Sequence, residues 1–505
     1  MSEHRAPGSG AAAASRGAVV AVDLGATSGR VILGRLVPGE HGTVLETKHI
    51  ARFANDPVRT SDGLHWNLLG LYREVLLGLA AAEREAPGEI LSVGIDSWAV
   101  DYGLFREGRL LGEPFHYRDA RNDAGVAAVH EIVPPEMLFA RNGLQFLTFN
   151  TVFQLATEGE MLRVADRLLL VPDLLAYWLT GAEVAERTNA STTGLLCADT
   201  KEWDTELMRS LDLPVALLPK LVDPGERIGA LTAEVADAVG RSLDVVTVGS
   251  HDTASAVAAV PATRPDFAYI SCGTWGLVGL ELDAPVTSEA AHAANFTNEG
   301  GVDGTTRFLH NVMGLWLLSE SLRHWEPAAS DAQRSSLLGE LLAEAAEVPA
   351  GQPVFDVNDP VFMAPGDIPG RIRDWCRARG VQAPETRAET VRSIVESLAD
   401  AFARAVETAA ELAGREVGVI HIVGGGSQNV LLCQATADRS GLPVFAGPTE
   451  ATAMGNLLIQ ARAHGLIAPG LEELRAVVAR SSEIIEYLPR RSEEHTSELQ
   501  SHSFI

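Results

Sequence analysis

The sequence predicts a mixed α/β protein made of two related halves. Short apolar, β-branched runs joined by glycine-rich turns open the chain, and stretches with helical apolar spacing then alternate with further strands. A strand, a Gly/Thr turn and a second strand at residues 267–281 repeat the shape of the opening unit at residues 18–34. Between the units lies P-A-T-R-P at residues 261–265, whose two prolines suit a linker.

Residues 18–24, A-V-V-A-V-D-L, read as the first strand, and G-A-T-S-G at 25–29 as its turn. Strands at 30–37 and 43–53 complete a meander. Leu and Val recur at helical spacing over 66–84, and a strand follows at 90–95. A strand at 245–248 runs into G-S-H-D-T-A at 249–254, which opens a helix of small residues. In the second half, residues 389–413 keep helical spacing over many turns. A strand at 417–423, G-G-G at 424–426, a helix from about Asn429, a strand near Val444 and a helix from about Glu450 complete the pattern.

With 505 residues, 46% of them hydrophobic and 21% charged, the chain can bury sizeable cores in two or three domains. A net charge of -27 argues against nucleic acid or an anionic membrane as the main partner, since both repel it. Local backbone donors and a metal can still hold a phosphorylated ligand. Cys197, Cys272, Cys376 and Cys433 lie far apart with no C-x-x-C pair, which suits a reducing cytoplasm. No apolar run reaches the roughly 18 residues of a membrane span. Residues 1–17, rich in Ala, Gly and Ser, are expected to form a loose tail. R-S-E-E-H-T-S-E-L-Q-S-H at 491–502 matches the translation of a DNA-sequencing adapter, so 489–505 is expected to be a non-native tail.

Asp23 ends the first strand just before the glycine turn. Turn amides with the hydroxyls of Thr27 and Ser28 can cradle phosphate, and Asp23 can hold a hydrated Mg²⁺ beside it. A plain β-hairpin accounts for the same residues. Asp252 follows a strand and opens a helix. It is either an N-cap or a carboxylate that accepts a substrate hydroxyl proton, and the pattern leaves both open. Gly273-Thr274 resembles the first turn, and the 424–426 run allows close approach of a nucleotide or makes an ordinary loop. Neither the dinucleotide fingerprint nor the P-loop pattern is present, so ATP would be held in another way.

Several stretches together resemble the FGGY carbohydrate kinases, over about residues 18–467. They include A-V-D-L-G-A-T-S-G-R (21–30), G-I-D-S-W-A-V-D-Y (94–102), S-H-D-T-A-S-A-V (250–257), N-F-T-N-E-G-G (295–301) and H-I-V-G-G-G-S-Q-N (421–429). The resemblance implies two RNase H-like domains of the actin and hexokinase type, at 18–260 and 261–488, with a catalytic cleft between them. It implies transfer of the ATP γ-phosphate to the 1-hydroxyl of L-rhamnulose by a monomer or homodimer. Asp252 matches the family's proton acceptor, and Ala99, His251, Asp252 and Thr253 match its sugar site. Ala26, Thr27, Ser28, Gly29, Arg30, Thr274, Asn311 and Gly425 match its ATP contacts, with Asp23 meeting Mg²⁺ through water. Ala99 stands where many relatives have Gly, and Ser319 where some carry a nucleotide-contacting Gln. Another ketose, L-fuculose or xylulose, is the nearest alternative. An actin-like ATPase is a distant one, since it leaves S-H-D-T without a use.

Overall fold

The structure, a computed structural model, describes residues 17–349 and 351–490. Both terminal-tail expectations fall mainly on 1–16 and 491–505, outside the described residues, although Gly17 is already buried.

Two large sheets carry the fold, and they share one plan. In the first, Ala18–Leu24 pairs antiparallel with Ser28–Gly39, which pairs antiparallel with Gly42–Ala54. On its other side Ala18–Leu24 runs parallel to Ile90–Ser97, then Asp244–Val246 follows in parallel and Arg227–Ala230 closes the edge antiparallel. In the second, Phe267–Cys272 pairs antiparallel with Trp275–Leu282, which pairs antiparallel with Thr306–Met313. Val419–Val423 and Val444–Ala446 continue in parallel, and Ile485–Tyr487 closes antiparallel. The one addition is Thr297–Gly300, outside the second meander. The repeated shape in the sequence is therefore a repeated topology.

Ala18–Leu24 is central because all seven of its residues are buried, as a strand covered on both faces requires. The following strand starts at Ser28, two residues earlier than the sequence suggests. Ser28 and Gly29 continue the ladder, opposite Ala54 and Leu24, so the turn shrinks to residues 25–27. A Cβ on Gly29 would lie 2.2 Å from the Phe53 ring, so this glycine serves packing within the sheet. The helix read at 66–84 runs Leu68–Glu85, with the Asn67 side chain accepting from the Gly70 amide. The long helix runs Arg387–Ala413 behind a capping box of Thr386 and Glu389, and stops at Gly414 with φ 60°.

The halves meet through helix Asp252–Ala258 and helix Ala451–Ala463, with a core shared by Val19, Ala256 and Leu457. Gly455 allows the approach: a Cβ there would lie 1.9 Å from the Ser255 carbonyl oxygen. Gly455→Ala is expected to destabilise the protein by about 1–3 kcal/mol, since neither backbone can yield. The helix-propensity gain of roughly 1 kcal/mol does not offset this. Denaturant titration checks it, and equal or greater stability in the variant would contradict it.

Residues 100–222 add a small sheet, Arg109–Leu110, Tyr102–Arg106 and Arg167–Leu170, with several short helices. This insertion brings Gln145, Phe149 and Asn150 over the space between the sheets.

Candidate active site

A cleft of about 440 Å³ opens between the two sheets and is lined from both. The two equivalent hairpin turns face into it: residues 25–28 from the first half, Gly273 and Thr274 from the second. Each turn is closed by backbone bonds. The Gly25 amide donates to the Ser28 carbonyl at 3.0 Å, and the Gly273 amide donates to the Trp275 carbonyl at 2.8 Å. Gly424 holds φ 81°, a left-handed value that suits glycine, and a Cβ on it would press on the Cys272 carbonyl at 3.0 Å. Gly425 beside it faces open space: a Cβ added there would meet nothing nearer than a Leu315 methyl at 4.0 Å.

The floor of the cleft is acidic. Parallel pairing sets Asp23 directly beside Asp96. Burial pushes the Asp23 carboxyl up to about 6, against the pull of Arg30 and with help from the charge of Asp252. Burial, then the neighbouring Asp23, raises Asp96 well above the usual carboxylate range. Arg30 Nε stands 3.0 Å from Asp23 Oδ2 but is out of line for a hydrogen bond, so their contact is an ion pair. Arg30 Nη1 also reaches Glu450 Oε2 at 3.0 Å, tying the first turn to the second half. Among the described residues neither Asp23 Oδ2 nor Asp96 Oδ1, both buried, has a hydrogen-bond partner.

Asp252 is the first residue of its helix, and His251 occupies the cap position without a side-chain cap bond. The N-cap reading of Asp252 is thereby corrected, because its carboxylate sits one residue too far along to meet the first-turn amides. Among the described residues it accepts one hydrogen bond, from Thr253 Oγ1 at 3.1 Å, and its side chain is 32% exposed to the cleft. That carboxylate can take up a proton from something bound above it.

Beside Asp252, residues 98–100 form one wall. Val100 has φ 69°, a strained value for a β-branched residue. Asp101 anchors this turn from behind. Its Oδ2 accepts from Trp66 Nε1 at 2.6 Å, Trp98 Nε1 at 3.1 Å and the Tyr117 amide at 3.2 Å. Its Oδ1 accepts from Gln154 Nε2 at 2.8 Å.

The structure brings Asp23, Ala26, Thr27, Ser28, Arg30, Ala99, His251, Asp252, Thr253, Thr274, Asn311 and Gly425 to this one cleft. Gly29 is not among its lining residues, because its open side is filled by Phe53. Ser319 lies within helix Trp316–Trp325, off the lining. Asn311 lines the cleft but is already engaged, since its amide and its Nδ2 both donate to Gln145 Oε1 at 2.9 Å. It ties the insertion to the second sheet. Sequence reasoning assigned nothing to Asp96, Asp101, Gln145, Glu299, Arg307 or Glu450. Asp96, Asp101 and Glu299 lie inside the motif stretches quoted above, which was the one available signal.

Comparisons with known proteins agree with this architecture. The model of the FGGY family of carbohydrate kinases, N-terminal domain, matches residues 18–259, and that of the C-terminal domain matches 268–464. The chain is 40% identical to the rhamnulokinase of Bacteroides thetaiotaomicron over 476 residues, covering 93% of this chain and 95% of that protein. It is 42% identical to the rhamnulokinase of Enterococcus faecalis over 451 residues, covering 88% and 89%. The crystal structure of a ligand-bound xylulose kinase from Lactobacillus acidophilus superposes with a TM-score of 0.75 at 16% identity, over 96% of each chain, which speaks for the fold alone. Two sheets of one topology, a cleft between their paired turns and family matches across both halves make the chain a member of the FGGY family of carbohydrate kinases.

Proposed function

We propose that the chain transfers the γ-phosphoryl group of ATP to the 1-hydroxyl of L-rhamnulose, giving L-rhamnulose 1-phosphate. The substrate rests on likeness along nearly the whole length to rhamnulokinases, at 38–42% identity. The chemistry rests on one observation, a carboxylate in the cleft, Asp252, with a single hydrogen bond among the described residues.

In this reading the sugar lies against Ala99, His251 and Thr253 with its 1-hydroxyl at Asp252. The sugar O–H bond breaks and its proton goes to the carboxylate. The freed oxygen bonds to the γ-phosphorus as the bond from that phosphorus to the bridging oxygen breaks, and ADP leaves with the electron pair. The amides of Ala26, Thr27 and Thr274, with Arg30, hold the phosphates and offset the charge that builds there, while the Gly25 and Gly273 amides keep the turns closed. Gly425 leaves room on the nucleoside side.

Mg²⁺ suits this floor. Asp23 lines the cleft, and its buried Oδ2, which faces Arg30 Nε but takes no hydrogen bond, is the kind of hard oxygen such an ion prefers, with Asp96 beside it beneath the lining. Among the described residues no group of three or more His, Cys, Asp or Glu could cage a metal; Mg²⁺ usually takes one or two carboxylates and keeps several waters, and in this reading Asp23 would hold the ion through water. When bound, the ion would neutralise phosphate charge. Among the described residues no helix is long and apolar enough to cross a membrane.

ADP release measured over L-rhamnulose, L-fuculose and D-xylulose tests the proposal. L-rhamnulose is expected to have the highest kcat/KM, by about 10-fold or more. A higher value with another ketose would reassign the substrate. ATP turnover indifferent to every sugar would favour the actin-like ATPase.

A further inference from the structure

His251 is held from behind by two residues of the second sheet to which the proposed reaction assigns no role. Glu299 and Arg307 stand directly opposite one another on adjacent antiparallel strands, Thr297–Gly300 and Thr306–Met313. Arg307 is completely buried; its Nε donates to the Gly300 carbonyl at 2.9 Å, and its Nη1 stands 3.0 Å from Glu299 Oε2. From this pair both charges converge on one atom of the first half. His251 Nδ1 lies 3.1 Å from Arg307 Nη2 and 3.2 Å from Glu299 Oε2. The ring's other nitrogen, Nε2, looks toward Asp252, 3.5 Å from Oδ1.

The two neighbours of Nδ1 make opposite demands. A guanidinium only donates, so it requires a lone pair on Nδ1. A carboxylate only accepts, so it requires a proton there. The alignment separates them. The Arg307 Nη2 contact has hydrogen-bond geometry, whereas Glu299 Oε2 has no aligned donor at all, from the imidazole or from Arg307 Nη1. Glu299 therefore acts as a charge partner. Burial works to raise its carboxyl, but Arg307 and the imidazole outweigh burial and hold it below its ordinary value. An anion at that place neutralises a guanidinium that would otherwise be buried unpaired.

We infer that Arg307 is a positioning residue, which by donating to Nδ1 fixes His251 as the tautomer that carries its proton on Nε2. The imidazole then offers the sugar a donor, beside the carboxylate that receives the reacting proton. This inference rests on the reading of the cleft as a ketose site. An oxygen that can only accept, such as the carbonyl next to the reacting CH₂OH of an open-chain 2-ketose, is satisfied by this tautomer and left unpaired by the other. Arg307 would thus act on specificity through His251, without touching the substrate. The arrangement also crosses the seam between the halves, where the Gly300 amide donates to Ser191 Oγ at 2.7 Å and fixes strand Thr297–Gly300 against the first half.

The tautomer can be read without sugar or nucleotide, so its outcome is separate from the identity of the ketose. Protein labelled with ¹⁵N in its 14 histidines is studied by NMR, the His251 signals being identified by their loss in His251→Gln. We expect an unprotonated Nδ1 and a protonated Nε2. A proton on Nδ1 in the wild-type protein would overturn the inference and hand control of the ring to Glu299. In Arg307→Met the Nδ1 signal is expected to lose its unprotonated character, and the ketose KM to rise about 10–100-fold, the range for residues that orient a ligand-bearing histidine. The ATP KM should change far less. Arg307→Lys, which restores a donor, should recover part of the ketose KM. Should Arg307→Met fail to fold with Glu299 left unpaired, Glu299→Gln/Arg307→Met removes both charges and is read the same way. An unchanged tautomer and an unchanged ketose KM in whichever of these variants folds would reduce the pair to a brace for the sheet.

Discussion

Asp252→Asn is expected to lower kcat for sugar phosphorylation by roughly 10²–10⁴-fold, while ketose affinity stays within a few-fold of wild type. The two side chains have the same shape, and the amide oxygen of Asn can still accept from Thr253 Oγ1, which bonds Asp252 at 3.1 Å. What Asn lacks is a site for the proton. Stability should change by no more than about 0.5 kcal/mol, because the side chain is partly exposed and caps nothing. A small gain is even reasonable, since the Asp252 charge opposes ionisation of both Asp23 and Asp96. Single-turnover formation of phosphosugar measures the chemical step, and calorimetry with the ketose measures affinity. Turnover near wild type would remove Asp252 from the role of base. Loss of binding together with loss of rate would make it a binding residue instead.

How far such residues were legible depends on how local their causes are. The central strands of both sheets could be read because they are apolar runs bounded by turn residues, and burial on both faces of Ala18–Leu24 leaves no polar interruption except Asp23; Arg227–Ala230, Thr297–Gly300, Thr306–Met313 and Ile485–Tyr487 went unread. The helix Arg387–Ala413 was legible for a similar reason, with a capping box at one end and Gly414 at the other. The paired turns could be matched by eye because topology is repeated within about ten residues of each. Gly29 shows a limit of such reading, because a glycine that admits Phe53 looks in sequence like one that admits a phosphate. Asp252 was half legible: a strand-to-helix junction was plain, but whether the carboxylate caps the helix turns on a shift of one residue. The insertion at 100–222 stayed unread because its helices and strands are short and take their shape from packing on one another. Glu299 and Arg307 were hidden for a further reason. Their partner, His251, lies 56 residues before Arg307, and only the meander of the second sheet brings them together.

The same non-local logic makes Asp101→Asn the second large effect. We expect it to raise the ketose KM about 100-fold and to cost roughly 1–3 kcal/mol of stability. Four N–H donors converge on the Asp101 carboxylate, three on Oδ2 and one on Oδ1. Asn supplies one accepting oxygen and an NH₂ group, so whichever way it turns, an N–H faces another N–H. Gln154 cannot turn its amide to compensate, because its Nε2 also donates to the Phe149 carbonyl at 2.9 Å. The strained Val100 would then lose the anchor next to it and relax, held by Thr151 Oγ1 on its carbonyl at 2.6 Å and by the longer contact of Gln154 Nε2 at 3.5 Å. Ala99 would move with it, and a shift near 1 Å at a substrate wall is worth about 10²-fold. The effect should also depend on pH in a stated direction. Burial pushes the Asp101 carboxyl up to about 7, against the pull of its donors. A raised value means the folded protein holds that proton more tightly than the unfolded chain does. The stability this contributes is present at low pH and is lost as pH rises through 7. Asn does not titrate, so the stability gap between wild type and variant should narrow between about pH 5 and about pH 8. Denaturant melts at the two values, with ketose KM measured alongside, decide the matter. A gap that stays constant with pH would mean that Asp101 is ionised throughout and that its donors outweigh its burial. A lowered stability with an unchanged KM would confine Asp101 to the fold and leave the wall of the sugar site to Val100 and its own strain.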